Sequence, residues 1–348
     1  MKKLVAPFFL FLFSFCTAQA QCVVWDRKSD ALSDTKRLIV LQLDSTDLPD
    51  VKKLKKNTDL VKAYSRYTRV FNDMIKQPVQ SHWTLCKQID FMTVKDFIAF
   101  RKKAGAQDKK QTLVLLFESP EYQFMNALEN EEPAALAHIE FEKVKTGSDF
   151  TQPVSLFNLE NVRPFDDNEI ATGATTALAR LEFSRWYLTA SDIVFALEQM
   201  QEALRANAQQ RNEFIFYLNF NPSNKGKLAG KTLLIPEEYT IKAGNGKKTI
   251  QDADLKKLYS WPWKFASNKE IDDAVAKKDP NFAVLVSTTH EIANALGGTY
   301  FWAMDTGGSI LGYSTPGNKN LGVGTVMKEK DLYDLNERRV KEIVENGN

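Results

Sequence analysis

Phe91-Met92-Thr93-Val94-Lys95-Asp96-Phe97 and Phe265-Ala266-Ser267-Asn268-Lys269-Glu270-Ile271 share one pattern, aromatic-x-[Ser/Thr]-x-Lys-acid-apolar. The hydroxyl residue is an N-cap, whose oxygen takes a free backbone N–H, and the acid three residues on reaches back to the cap. A helix therefore starts at the same point in both stretches. Each is followed by a helical pattern, Val94 to Lys103 and Asn268 to Lys278, and then by an apolar strand, Thr112 to Phe117 and Phe282 to Val286. Each is preceded by an extended stretch, Trp83 to Phe91 and Trp261 to Phe265, and before that by a strand, Arg37 to Leu43 and Lys231 to Ile235. The repeated order predicts an α+β protein of two tandem lobes related by duplication, each a small mixed sheet with packed helices.

In the first lobe, Leu60, Tyr64, Tyr67, Phe71 and Met74 step at helical spacing over Thr58 to Lys76, and Pro78 is expected to stop that helix. Between the lobes, Ile193, Val194, Leu197, Met200 and Leu204 give Ser191 to Ala206 an apolar helical face, with Gln, Glu and Arg opposite. Ala177 to Leu188 fits a helix or a strand equally. Asn212 to Phe220 alternates as a strand, Thr299 to Tyr313 forms a hairpin about Asp305-Thr306-Gly307-Gly308, and Glu329 to Val344 is a closing amphipathic helix. The expected divisions are a leader over 1–20, an N-terminal lobe over 21–165, a largely helical connector over 166–211 and a C-terminal lobe over 212–348.

The leader carries Lys2 and Lys3, an apolar run from Leu4 to Phe15 and the small-residue site Thr17-Ala18-Gln19-Ala20, the three parts of a secretory signal. Its apolar run is shorter than the roughly 20 residues that span a bilayer, so no transmembrane segment is expected once it is removed. Gln21 before Cys22 argues against lipid attachment. With Cys16 leaving in the leader, Cys22 and Cys86 are the cysteine pair of an exported chain and are expected to form a disulfide. It would close a loop of roughly 64 residues and contribute up to about 4 kcal/mol.

The whole chain has 348 residues, 43% hydrophobic and 26% charged, which excludes disorder and fibrous classes. Its 46 basic residues against 44 acidic ones come into balance when Lys2 and Lys3 are removed, so no global field draws nucleic acid. The dense lysines Lys52, Lys53, Lys55 and Lys56 lie beside Asp47 and Asp50 and read as a solvated face.

Familiar catalytic sets are each incomplete. Asp305-Thr306-Gly307 resembles the aspartic-protease triplet, but that chemistry needs two such carboxylates and a hairpin turn accounts for the same residues. His290-Glu291-Ile292-Ala293-Asn294 has asparagine where a zinc-protease helix needs its second histidine, so neither metal nor cofactor is expected. Gly226-Lys227-Leu228-Ala229-Gly230-Lys231-Thr232 is one residue short of a phosphate loop and runs into a strand. No Gly-x-Ser-x-Gly accompanies the three histidines, His82, His138 and His290. The acid pairs Asp166 and Asp167, Asp272 and Asp273, and Glu131 and Glu132 read as solvated.

Tyr259, Trp261, Trp263 and Phe265 alternate on one extended stretch, which directs all four rings to one face. Packing explains such a row; a ligand or partner groove also uses Trp and Tyr in this way. The expectation is a periplasmic or secreted, non-enzymatic binding or assembly protein of the cell envelope, with an envelope protein or small ligand as partner. The alternative is a hydrolase of envelope or extracellular polymers whose carboxylates come together only in the fold.

Overall fold

Arg37-Leu38-Ile39-Val40-Leu41-Gln42 is apolar at four consecutive positions because both of its faces are covered. In the computed structural model, which describes residues 21–23, 35–43, 58–117, 151–164, 170–171, 177–184, 188–209, 215–217, 220–240, 250–289, 299–314 and 335–348, Leu38 and Val40 point into one core cluster and Ile39 and Leu41 into another. A strand with alternate side chains buried on opposite faces loses the polar alternation of a half-exposed strand.

The first half runs β1 (Gln21–Val23), β2 (Arg37–Gln42), α1 (Thr58–His82), β3 (Gln88–Thr93), α2 (Val94–Lys103), α3 (Ala106–Lys110), β4 (Thr112–Phe117) and β5 (Thr151–Asn158). It continues through the small pair β6 (Arg163–Pro164) and β7 (Ile170–Ala171) to β8 (Ala179–Ser184) and α4 (Ala190–Gln209). The second half comprises β9 (Ile215–Tyr217), β10 (Thr232–Pro236), α5 (Asp252–Leu258), β11 (Trp263–Ala266), α6 (Asn268–Ala276), β12 (Phe282–Thr289), β13 (Thr299–Asp305), β14 (Ile310–Ser314) and α7 (Glu337–Gly347).

The fold is mixed α/β around a mixed sheet. In the first half β2 pairs in parallel with β3 and β4, β4 is antiparallel to β5, and β5 is antiparallel to β8. In the second half β10 pairs in parallel with β11 and β12, β12 is antiparallel to β13, and β13 is antiparallel to β14. A helix follows the last strand of each series, α4 after β8 and α7 after β14.

These strands do not form two separate small sheets as the sequence suggests. They join into one 12-stranded sheet through β8 and β12, where Phe183 pairs with Thr288 and Glu182 with Thr289. Within the stretch Ala177 to Leu188, ambiguous by periodicity, Ala179–Ser184 is therefore the strand at the seam. Phe183 lies edge-on to Phe195 of α4, and Phe195 lies against Trp302 of β13, so one aromatic row crosses from half to half. Buried Ile193, Val194, Leu197, Met200 and Leu204 place α4 in the cluster that includes both Leu38 and Met304. Thr189 and Asp192 start that helix reciprocally, the Thr189 amide donating to Asp192 Oδ2 at 2.8 Å and the Asp192 amide to Thr189 Oγ1 at 3.4 Å.

The matched N-caps form. Asp96 N–H donates to Thr93 Oγ1 at 3.2 Å, and Glu270 N–H donates to Ser267 Oγ at 3.3 Å while Ser267 N–H reaches Glu270 Oε2 at 3.0 Å. The Ser267 amide, and then Lys264, hold the Glu270 carboxyl below the usual carboxylate range. Thr93→Ala and Ser267→Ala are each expected to lower stability by about 1 kcal/mol in urea melts. Unchanged midpoints would show that tertiary packing alone sets these helix starts.

Several expectations change. The first helix passes through Pro78 to His82, held beyond the proline by tertiary bonds to its last carbonyls: Lys278 Nζ donates to the Ser81 carbonyl at 3.2 Å and Gln201 Nε2 to that of His82 at 2.9 Å. The closing helix begins at Glu337, capped by Asn336 Oδ1, which accepts from Arg339 N–H at 3.2 Å. Cys86 is a free thiol, accepting from Trp83 Nε1 at 3.2 Å and facing the Gln88 carbonyl at 3.4 Å. Cys22 lies in β1 opposite Phe216, five strand spacings from β3. The expected Cys22–Cys86 disulfide is therefore not formed, and Cys86 is held instead by its neighbours Trp83 and Gln88. The leader, Lys52 to Lys56, Glu131 and Glu132, His138, Asp166 and Asp167, and the His290 motif lie outside the described residues.

Candidate functional site

The aromatic row ends at the margin of the sheet. β11 pairs with β10 on one side, Leu233 opposite Trp263 and Ile235 opposite Phe265, and stands at the end of the strand order. Tyr259 belongs to the core at 2% exposure, with its hydroxyl donating to the Lys231 carbonyl at 3.0 Å. Burial pushes its phenol well above the usual range. Trp261, Trp263 and Phe265 are half-buried and pack on the same cluster, with Trp261 edge-on to Tyr259 at 5.3 Å and Trp263 edge-on to Phe265 at 5.5 Å. The strand is short, is preceded by Pro262 and carries exposed Lys264, devices that discourage indiscriminate edge pairing.

A second constellation forms where α1 ends against α4, the loop after α6 and the turn between β13 and β14. The turn is built by Asp305, whose Oδ1 accepts the amides of Gly307 and Ser309, both at 2.9 Å. Gly308 has φ +94°, and a Cβ there would lie 3.0 Å from Glu198 Cβ and 3.2 Å from the Val194 carbonyl, so the turn rests directly on α4. Gln199 Nε2 donates to the Gly308 carbonyl at 3.0 Å. Asp305-Thr306-Gly307 is thus a turn docked on a helix.

Gln201 ties α4 to the end of α1. Besides holding the His82 carbonyl, its Oε1 accepts Thr84 N–H at 2.7 Å, and Arg205 Nη2 donates to Thr84 Oγ1 at 2.7 Å. From the second half comes Lys278, with φ +50°, the one non-glycine residue of positive φ among the described residues. It occupies the left-handed position closing α6, where Lys278 N–H reaches the Val275 carbonyl at 3.0 Å and Asp279 N–H that of Ala274 at 3.1 Å. Glycine is the usual residue there, and the side chain of Lys278 supplies the Ser81 cap that glycine lacks.

His82 is 6% exposed, and its buried Nε2 has no partner among the described residues. Desolvation first, then the Lys278 ammonium, push its pKa down to about 4 against the pull of Asp305 and the Gly307 backbone, so the ring is neutral near pH 7. Glu198 and Glu202, one turn apart on α4, are raised above the usual carboxylate range, chiefly by burial; for Glu198 the neighbouring Glu202 adds to it, while Arg205 opposes both shifts. Glu198 and His82 share Lys278 and Asp305 as charged neighbours, so a carboxyl that holds its proton more strongly than usual and a neutral imidazole belong to one polar junction.

Sequence reasoning leaves Glu198, Glu202 and Lys278 unremarked and names His82 only as one of three histidines without a nucleophile motif. The available signal was Glu198-Gln199-Met200-Gln201-Glu202, a polar cluster on a helix that is otherwise buried. Of the acid pairs, Asp273 is an exposed partner of Lys269 at 2.8 Å and Asp272 Oδ1 accepts Ser191 N–H at 3.3 Å. The glycine loop keeps Gly226 and Gly230 at positive φ and runs into β10. Among the described residues no three His, Cys, Asp or Glu side chains gather to hold a metal, and no helix is long and apolar enough to cross a membrane. The chain matches no protein-family model, no curated protein and no solved structure.

Proposed function

We propose that this protein is an exported, non-enzymatic binding or assembly component of the cell envelope, built from two copies of one α/β unit. The matching strand orders support the duplication, and the leader-like residues 1–20 support export to the periplasm or beyond. The observation that carries the binding reading is the side of β11 that pairs with no other strand among the described residues, with Trp261, Trp263 and Phe265 half-buried beside it. The partner is an extended segment of an envelope protein, which adds a strand to this edge and lays apolar side chains against the tryptophans.

Selection of peptides from a displayed random library against the mature protein tests this reading. The expected outcome is an enriched set of extended, apolar-alternating peptides whose affinity falls roughly thirty-fold in Trp263→Ala, as for an aromatic anchor worth about 2 kcal/mol. Failure to enrich any peptide, or equal affinity for folded Trp261→Ala and Trp263→Ala variants, would remove the edge from consideration.

The raised carboxyls of Glu198 and Glu202 near His82 favour a second reading, a hydrolase of envelope or extracellular polymers. In that case polysaccharide or protein substrates release reducing ends or free amines, and Glu198→Gln or Glu202→Gln abolishes the release.

A further inference from the structure

The polar junction at the end of α1 is a place where side chains bridge the two halves. Lys278 and Ser81 are 197 residues apart in the chain, and Gln199 and Gly308 are 109 apart, yet both pairs are bonded there. Lys278 from the loop after α6, and Asp305 and the Gly307 backbone from the turn, act on the His82 ring, and the same Lys278 and Asp305 act on Glu198 of α4, which also feels Glu202 and Arg205. A proton on His82 would place a charge in a buried site, facing the exposed Lys278 ammonium.

We infer that this junction is an acid-sensitive latch between the two halves, closed while His82 is neutral and released when His82 takes a proton. The inference goes beyond the binding reading and holds whichever partner β11 takes. With the folded pKa lowered to about 4 from 6.5, the closed state binds fewer protons than the open one between those values. Closure is therefore fully favoured above 6.5 and is lost as the pH falls toward 4. Glu198 and Glu202 act in the opposite sense, since raised carboxyls hold extra protons in the closed state and favour it as the pH falls. They offset part of the histidine effect, so the decisive comparison is between wild type and a histidine variant.

Hydrogen exchange of the Thr84, Gly307 and Ser309 amides, corrected for intrinsic rates and compared with β2 and β4, reads the latch. Between about pH 7.5 and about pH 4.5 the junction amides of the wild type are expected to lose protection by tens of fold more than those of His82→Gln. Equal losses in the two proteins would overturn the inference. Lys278→Gly keeps the left-handed helix end and removes the ammonium, so its acid response should be weaker than that of the wild type; an undiminished response also counts against the latch. Should His82→Gln fail to fold, an NMR titration of the three histidines decides the question. One ring must titrate well below the ordinary value of about 6.5, and its absence refutes the latch.

Discussion

Trp302→Ala is expected to lower the free energy of unfolding by about 3–5 kcal/mol, the range for removing a fully buried large aromatic. Trp302 is 2% exposed and stacks with Tyr300 at 6.0 Å and Tyr313 at 5.9 Å, while Phe195 of α4 lies 6.2 Å away. Its Nε1 donates to Thr288 Oγ1 at 2.8 Å, so truncation also removes the indole partner of a buried hydroxyl. The side chain stands where the seam between β8 and β12 meets the helix that covers it, and the cavity would open between the halves. Urea melts of Trp302→Ala and Trp302→Phe check this. The phenylalanine variant keeps most of the apolar contact and should lose about 1–2 kcal/mol, chiefly through the missing N–H. A loss below about 1 kcal/mol for alanine would mean that the aromatic row does not hold the halves together.

The second large effect comes from adding one methyl group. Gly312 of β14 lies under α7, and a Cβ there would stand 2.5 Å from the Ile343 carbonyl oxygen and 3.3 Å from its Cγ2. The obstacle is backbone, so no rotamer change relieves it and the helix must lift from the strand. Gly312→Ala is expected to cost about 2–3 kcal/mol and to weaken the packing of Val340 and Ile343 on β13 and β14. Gly347, whose Cβ would meet the Leu311 carbonyl at 2.8 Å, sits in the last turn, where the helix end yields more easily. Gly347→Ala should accordingly cost less. Thermal melts of both variants test the order, and a neutral Gly312→Ala would show that α7 is free to shift.

Local structure was largely legible in the sequence where a single physical cause acts within a few residues. The caps at Thr93 and Ser267, the apolar strands β2 and β4, and the turn at Asp305 follow from hydroxyl, apolar and glycine positions without reference to distant residues. Pro78 misled because its local cost is real but is offset by caps that Lys278 and Gln201 bring from far along the chain. The helix at Glu337 starts later than its pattern suggests because Asn336 caps it there. The candidate sites were legible in part. The aromatic residues at 259–265 stand out by alternation, but that Tyr259 is core while Trp261 and Trp263 are half-exposed at a margin depends on which strand neighbours β11. The polar junction was invisible, since its members come from four segments and, the Asp305 turn apart, none forms a motif.

The sequence by itself determined the repeated strand, cap, helix and strand order in each half, the two matched helix starts and the balance of charge, because propensity, capping and composition are properties of short windows or of the whole chain. Only the tertiary structure decided that the strands form one sheet, that Cys86 stays a free thiol, and that His82 loses its water beside Lys278. Strand neighbours, sulfur separation and desolvation are set by contacts between residues remote in sequence. Such contacts arise when β8 and β12 meet and α4 buries its faces against both halves.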